Sequence, residues 1–209
     1  MIREVRFYVF GICGILSFLT FNKTCVQRQS PRFKHQQDNA KLSGTCPSPR
    51  DCPPNHFAFY IRSGLANVIG PKICFDGEVV MSGTKMNVGQ GLNIVLLNGD
   101  SGNIISSGFY TGADDMLVFL RGIQHGQIML VASFDDPAPI LTDKAREILK
   151  ALGSSAIQTV GVRDGWLFAG QKGSDGNPFE KHISNDEKTN KFEKWPGAIE
   201  LSGCFLKRT

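Results

Sequence analysis

Residues 87–102 read NVGQGLNIVLLNGDSG. A glycine-rich lead-in beside an apolar run is how many nucleotide-binding loops begin, so the segment after the glycines decides the fold. A dinucleotide cradle requires a strand, G-x-G-x-x-G and then a helix, because the helix N-terminus holds the pyrophosphate. Here Gly89-Gln90-Gly91 runs into Leu92-Asn93-Ile94-Val95-Leu96-Leu97, a strand-like segment, and Ile94 stands where the third glycine belongs. No P-loop is present either. The stretch predicts a tight, glycine-bent lead-in to a central strand, closed by a hairpin turn at Gly99-Asp100-Ser101-Gly102. Bare backbone at Gly89 lets a ligand approach closely, which makes Gly89 and Gln90 candidate ligand contacts.

The flanking sequence extends this β-rich reading. HFAFYIR (56–62) has strand composition, and KICFDGEVVM (72–81) splits into two β runs at Asp76-Gly77, a two-residue hairpin signal. NIISSGFY (103–110), QIMLVASF (127–134), AIQTVGV (156–162), WLFAGQK (166–172) and AIELSGC (198–204) are further predicted strands. Residues 173–192 are polar and predict a loop. Two segments carry helical spacing. ADDMLVFLRGI (113–123) places Met116, Phe119 and Leu120 on one face, with Asp114 and Asp115 where they suit the helix dipole. LTDKAREILKALG (141–153) has Thr142 as cap, a stripe of Ala145, Ile148, Leu149 and Leu152, and Gly153 as stop. Strands joined by short turns, with two helices among them, predict an α+β fold with antiparallel pairing.

The 209-residue chain has length for one core plus a leader. Its net charge of +4 lacks the dense basic face of a nucleic-acid binder, so no nucleic-acid partner is expected. Arg3 and Arg6 precede an apolar stretch from Phe7 to Phe21, shorter than the roughly 20 residues a spanning helix needs. Residues 1–25 therefore predict a signal peptide, or a signal anchor because no A-x-A-like cleavage site is present after it. Asn22-Lys23-Thr24 is the sole N-x-S/T sequon and sits at the leader boundary. Residues 26–53 lack apolar periodicity and predict a flexible linker, with the globular domain at 54–208.

Six cysteines fit secretion. Cys46, Cys52, Cys74 and Cys204 lack C-x-x-C spacing, so zinc is not expected, and three disulfide pairings are open. A bridge from Cys46 or Cys52 to Cys204 would tie the domain ends together, worth about 4–5 kcal/mol on the chain-entropy account. Cys25, if retained, is an odd thiol able to link two copies.

Catalytic signatures are missing: there is no G-x-S-x-G elbow, no H-E-x-x-H and no D-x-D, so no enzyme activity and no cofactor is expected. Two polar sites remain. Asp135-Asp136 comes just after a predicted strand and is a candidate ligand or cation site. Arg163-Asp164 lies between two β runs beside Trp166. Charged donors and acceptors next to an aromatic surface form a polar clamp of the kind that holds sugar hydroxyls.

Five blocks carry a further signal: CPPNHFAFYIRSGLANVIGPKICF, MSGTKMNVGQGLNIVLLNGDSG, SFDDPAPILTDKAREILKALGSS, VRDGWLFAGQKG and TNKFEKWPGAIELSGC. In this order they resemble the family of interleukin-like EMT inducer and pancreatic-derived factor (PANDER), from about Cys46 to Cys204. The domain resembles a GG-type lectin domain, also found in the stem of an O-mannose N-acetylglucosaminyltransferase. The resemblance implies a compact β-β-α fold of two mainly antiparallel sheets with flanking helices, stabilised by Cys46–Cys74 and Cys52–Cys204 disulfides. It implies a secreted, non-catalytic, cytokine-like factor with a cell-surface receptor as partner and a glycan ligand near Asp135, Asp136 and Arg163. Family members usually carry arginine in the N-V-G-x-G block, where this chain has Gln90, and glycine after the acidic pair, where it has Pro137.

Overall fold

The computed structural model describes residues 46–47, 52–174 and 176–207. The leader, the sequon, Cys25 and most of the predicted linker lie outside them. The opening stretch forms an inner strand, β4 (Gly91–Asn98), buried along all but its last residue. Gly91 has φ +88°, and a Cβ there would lie 2.2 Å from the Tyr110 carbonyl oxygen. Only glycine meets both conditions, so the chain can bend tightly into the strand. The far turn closes as predicted. Asn98 Oδ1 accepts the amides of Asp100 and Ser101, and Gly102 takes φ +74°.

Two antiparallel sheets result. The first has the order β3-β2-β1-β9, with β1 His56–Arg62, β2 Lys72–Phe75, β3 Glu78–Ser82 and β9 Glu200–Leu206. The second has the order β5-β4-β6-β7-β8, with β5 Ile104–Tyr110, β6 Gln127–Phe134, β7 Gly165–Gln171 and β8 Phe179–Ile183. Strand alternation sends β4 Val95 and Leu97 one way, against Phe59, Ile61, Ile73 and Met81 of the first sheet. It sends Leu92, Ile94 and Leu96 the other way, toward helices α1 (Ala113–Gly122) and α2 (Asp143–Ala151). The layers are sheet, sheet and helices, the β-β-α arrangement that the resemblance implied. The disulfides join Cys46 to Cys74 and Cys52 to Cys204.

Helix α2 begins where its cap predicts, with the Ala145 amide donating to Thr142 Oγ1 at 3.3 Å. Two expectations fail. Residues 156–162 form turns and bends, not a strand. Their backbone is claimed by side chains. Arg146 donates to the carbonyls of Leu141, Ile157 and Val160, and Glu180 accepts the amides of Ser155 and Ala156. Residues 173–192, expected as loop, contain β8. Its alternation is readable only in context. Phe179 packs edge-on against Phe59, with ring centroids 5.1 Å apart, while Glu180 and His182 face away toward the loops. Among the described residues, no helix is long and apolar enough to cross a membrane.

Candidate functional site

At the C-terminal end of β6 the chain turns sharply. Asp135 takes φ +59°, a left-handed conformation that costs a non-glycine residue about 1–2 kcal/mol. Asp136 then holds two loops together: its Oδ1 accepts the amides of Ala138 and of Arg163, each at 3.0 Å. Pro137 opens a single 3-10 turn at Ala138–Ile140. The Asp136 contact anchors Arg163, itself at φ +60°. Asp164 is buried and accepts the amides of Gly161 at 2.8 Å and Asn185 at 2.7 Å, with His182 Nε2 2.7 Å from Oδ2. The expected Arg163–Asp164 clamp therefore divides. Asp164 is spent on loop architecture, and Arg163 alone is presented outward.

The aromatic partner of Arg163 is not Trp166. Trp166 is fully buried against the helix layer, and its Nε1 donates to Glu180 Oε1 at 2.8 Å. It cannot meet a ligand and, contrary to expectation, is not part of the candidate site. Its amide does help the site indirectly, by donating to Ser133 Oγ at 2.8 Å. The surface aromatic is Trp195, from a small turn closed by paired backbone bonds with Phe192. The Arg163 guanidinium stacks over it, 4.6 Å from the ring centroid. Trp195 Nε1 donates to Asp135 Oδ1 at 3.2 Å, and Gln90 Nε2 donates to Asp135 Oδ2 at 2.8 Å. Gln90 and Trp195 thus hold the acidic turn, one at each carboxylate oxygen. Gly89, expected as a ligand contact, has its amide and carbonyl both bonded to the Asn93 side chain and does not line the polar pit between Asp135 and Arg163.

These groups surround a polar pit lined by Ser63, Gly64, Asp135, Arg163 and Trp195, with a volume of about 10 Å³. That is room for one hydroxyl or water-sized group. Gly64 is required by packing, since a Cβ would lie 2.2 Å from the Phe134 ring. Ala66, Asp135 and Arg163, all at the pit, are non-glycine residues with positive φ. Strain of this kind clusters at functional sites. Trp195 is the residue the sequence reading missed. Its signal was the W-P-G tripeptide at 195–197, a turn placing an aromatic beside a bare backbone. Among the described residues no group of three or more His, Cys, Asp or Glu side chains is placed to hold a metal ion.

Comparison with known proteins bears on the family. The family described as Interleukin-like EMT inducer matches residues 90–174. Protein FAM3C of Danio rerio is 48% identical over 169 residues, covering 78% of this chain and 74% of the relative. Protein FAM3C of Homo sapiens is 45% identical over 168 residues, with the same two coverages of 78% and 74%. Protein FAM3A of Homo sapiens is 43% identical over 169 residues, again at 78% and 74%. Identity at this level over most of both chains means that the chain belongs to the interleukin-like EMT inducer family, together with the FAM3 proteins.

Proposed function

We propose that the protein is a secreted, cytokine-like factor, acting without catalysis through a cell-surface receptor and a glycan held by its lectin-like domain. In this reading residues 1–25 are a cleaved leader, 26–53 a linker and 54–208 the binding domain. The observation that carries it is the Asp135–Trp195–Arg163 arrangement. A carboxylate fixed by two donors lies beside a guanidinium stacked on an indole, over a pit sized for one hydroxyl. Sugars are bound by such sets, since charged groups take paired hydroxyls and the indole holds the guanidinium in place for them. Family membership supports the cytokine-like part, and two disulfides suit an oxidising compartment.

The test is glycan-array binding by the product secreted from the full chain, beside a pull-down from cell-surface extracts. Binding to a defined glycan set, lost in Arg163→Ala with the fold intact by circular dichroism, supports the reading. Silence in both assays overturns it. A second reading has its own observation: the leader lacks an A-x-A-like cleavage site. It makes the protein a Golgi-resident, type II anchored carbohydrate-binding accessory. N-terminal sequencing separates the two, because residue 1 intact in a membrane fraction favours the anchored form.

A further inference from the structure

Among the described residues each sheet has two edges, and three of the four are occupied. At β3 the Asn87 side chain takes the edge, with Oδ1 accepting the Ser82 amide at 3.0 Å and Nδ2 donating to the Val80 carbonyl at 2.9 Å. β8 carries Glu180, Lys181 and His182, polar and charged groups that discourage strand addition, and Lys181 Nζ donates to the Glu200 carbonyl of β9 at 3.3 Å. β9 is itself tied down by the Cys52–Cys204 bridge. The fourth edge is β5, which reads IISSGFY and holds neither a charge nor a proline. Its Ile104, Ile105 and Phe109 side chains are half-exposed. An edge of this kind is a template for a further strand.

Hydrogen-bond directions show where that strand would sit. The Asn98 amide donates to the Asn103 carbonyl at 2.9 Å, and the Asn98 carbonyl accepts the Gly102 amide at 2.8 Å. Alternation along β4 then directs the backbone of Ile94 and Leu96 to β5, onto Gly108 and Ser106. Ser107 and Phe109 aim their N–H and C=O groups outward, and among the described residues none of these is bonded. Gly108 lies between them. A glycine inside a strand marks a bulge, a bend or a close approach by another backbone. The β5 bulge falls at the other end, opposite Leu96 and Leu97. Gly108 has no positive φ, and a Cβ there would meet nothing within 4 Å. The chain's own fold therefore does not require glycine at this position.

We propose that β5 pairs antiparallel with β5 of a second copy of this chain, about a two-fold axis at Gly108, joining two five-stranded sheets into one. In this register the two Gly108 residues form a non-hydrogen-bonded pair, whose Cα atoms approach to about 4.5 Å. Ser107 lies opposite the partner's Phe109 and exchanges both backbone bonds with it. The two phenylalanine rings come within diagonal reach on one face. A copy of the same strand suits this edge, because uncharged strands bring no like charges together and one patch serves both sides of a two-fold. A single strand pair is a small interface, so the dimer is reversible. None of this rests on the glycan reading.

The experiment is analytical ultracentrifugation of the secreted full-chain product carrying Cys25→Ser, so that no disulfide from that residue joins two copies, beside hydrogen exchange read by NMR. From about 1 to about 200 μM the mass should rise from one chain toward two and no further. Over the same range the Ser107 and Phe109 amides should gain protection. Gly108→Val places a branched side chain at the closest approach, and Ser107→Pro removes an outward donor. Each should weaken association at least about tenfold, with the fold intact by circular dichroism. The exchange readout needs neither substitution and stands if either variant unfolds. A single-chain mass throughout overturns the proposal. So does a dimer that neither substitution weakens, or one that forms without protection of those two amides. Growth beyond two chains overturns the two-fold. Protection that appears only when a different protein from the culture medium is added overturns self-pairing in favour of a foreign strand.

Discussion

The guanidinium of Arg163 lies 4.6 Å from the ring centroid of Trp195, whose indole N–H is bonded to Asp135. Three residues from three separate loops thereby become one rigid surface. The planar fork of arginine matters here, because a lysine ammonium can neither lie flat on the indole nor offer two parallel donors in a fixed plane. Arg163→Lys should weaken glycan binding at least about tenfold, equivalent to roughly 1.4 kcal/mol. Stability should change by less than about 0.5 kcal/mol, since the stacked guanidinium lies at the surface. Titration of the array-positive glycan, with urea melts alongside, reads both.

Backbone strain at the site gives a prediction of opposite sign. Ala66 at φ +49° has a conformation that glycine adopts freely. Ala66→Gly should stabilise the fold by about 1 kcal/mol. Gly91→Ala should do the reverse, costing upward of about 2 kcal/mol, because φ +88° is strained and the new Cβ meets the Tyr110 carbonyl. Chemical denaturation of the two variants side by side tests the pair.

Glu180 ties the 154–156 turn to the core. Burial alone would push its carboxyl up, but hydrogen bonds from Ser154, Trp166, Ser155 and the Ala156 amide outweigh that and hold it below its ordinary value of 4.5. A carboxyl with a lowered folded value adds stability that is present above its unfolded value and lost as pH falls through the folded one. Thermal stability should therefore drop as pH falls from about 5 toward 3. Glu180→Gln should flatten that segment of the profile. The same variant at neutral pH should cost about 1–3 kcal/mol, since the charge-assisted bonds are lost. A melting series across this pH range checks both statements.

The disulfides differ in the loops they close. Cys52–Cys204 has a sequence separation of 152, against 28 for Cys46–Cys74. The chain-entropy account assigns about 5 kcal/mol to the first and about 3.5 kcal/mol to the second. Replacing Cys52 and Cys204 by alanine should lower stability more than replacing Cys46 and Cys74. Equal losses would show that native packing, not loop closure, sets the cost.

Elements with their own punctuation were legible from residues alone. Thr142 and Gly153 bracket α2, Asp76-Gly77 turns β2 into β3, and the glycines before Leu92 lead into β4. Local chemistry specifies these, because a cap or a left-handed turn depends on residues a few positions apart. Residues 156–162 have strand composition but no strand, because Arg146 and Glu180 take the hydrogen bonds a sheet neighbour would need. The hydrophobic pattern could not show that competition.

The site divides along the same line. The chemistry of Asp135, Asp136 and Arg163 was visible in the sequence, because charged residues at predicted strand ends are surface residues. Which tryptophan stands beside Arg163 was not visible. Trp166 lies close to Arg163 in sequence, yet strand alternation turns it inward to the helix layer. Trp195 is distant in sequence, yet its turn folds back over the ends of β6 and β7 to reach Asp135 and Arg163. Sequence by itself determined the strands with turn signals, the two helices and the sign and type of the site's charged groups, all products of short-range chemistry. Tertiary structure alone decided the aromatic partner, the two-sheet packing and the polar pit at the site, because each depends on contacts between segments that only packing brings together.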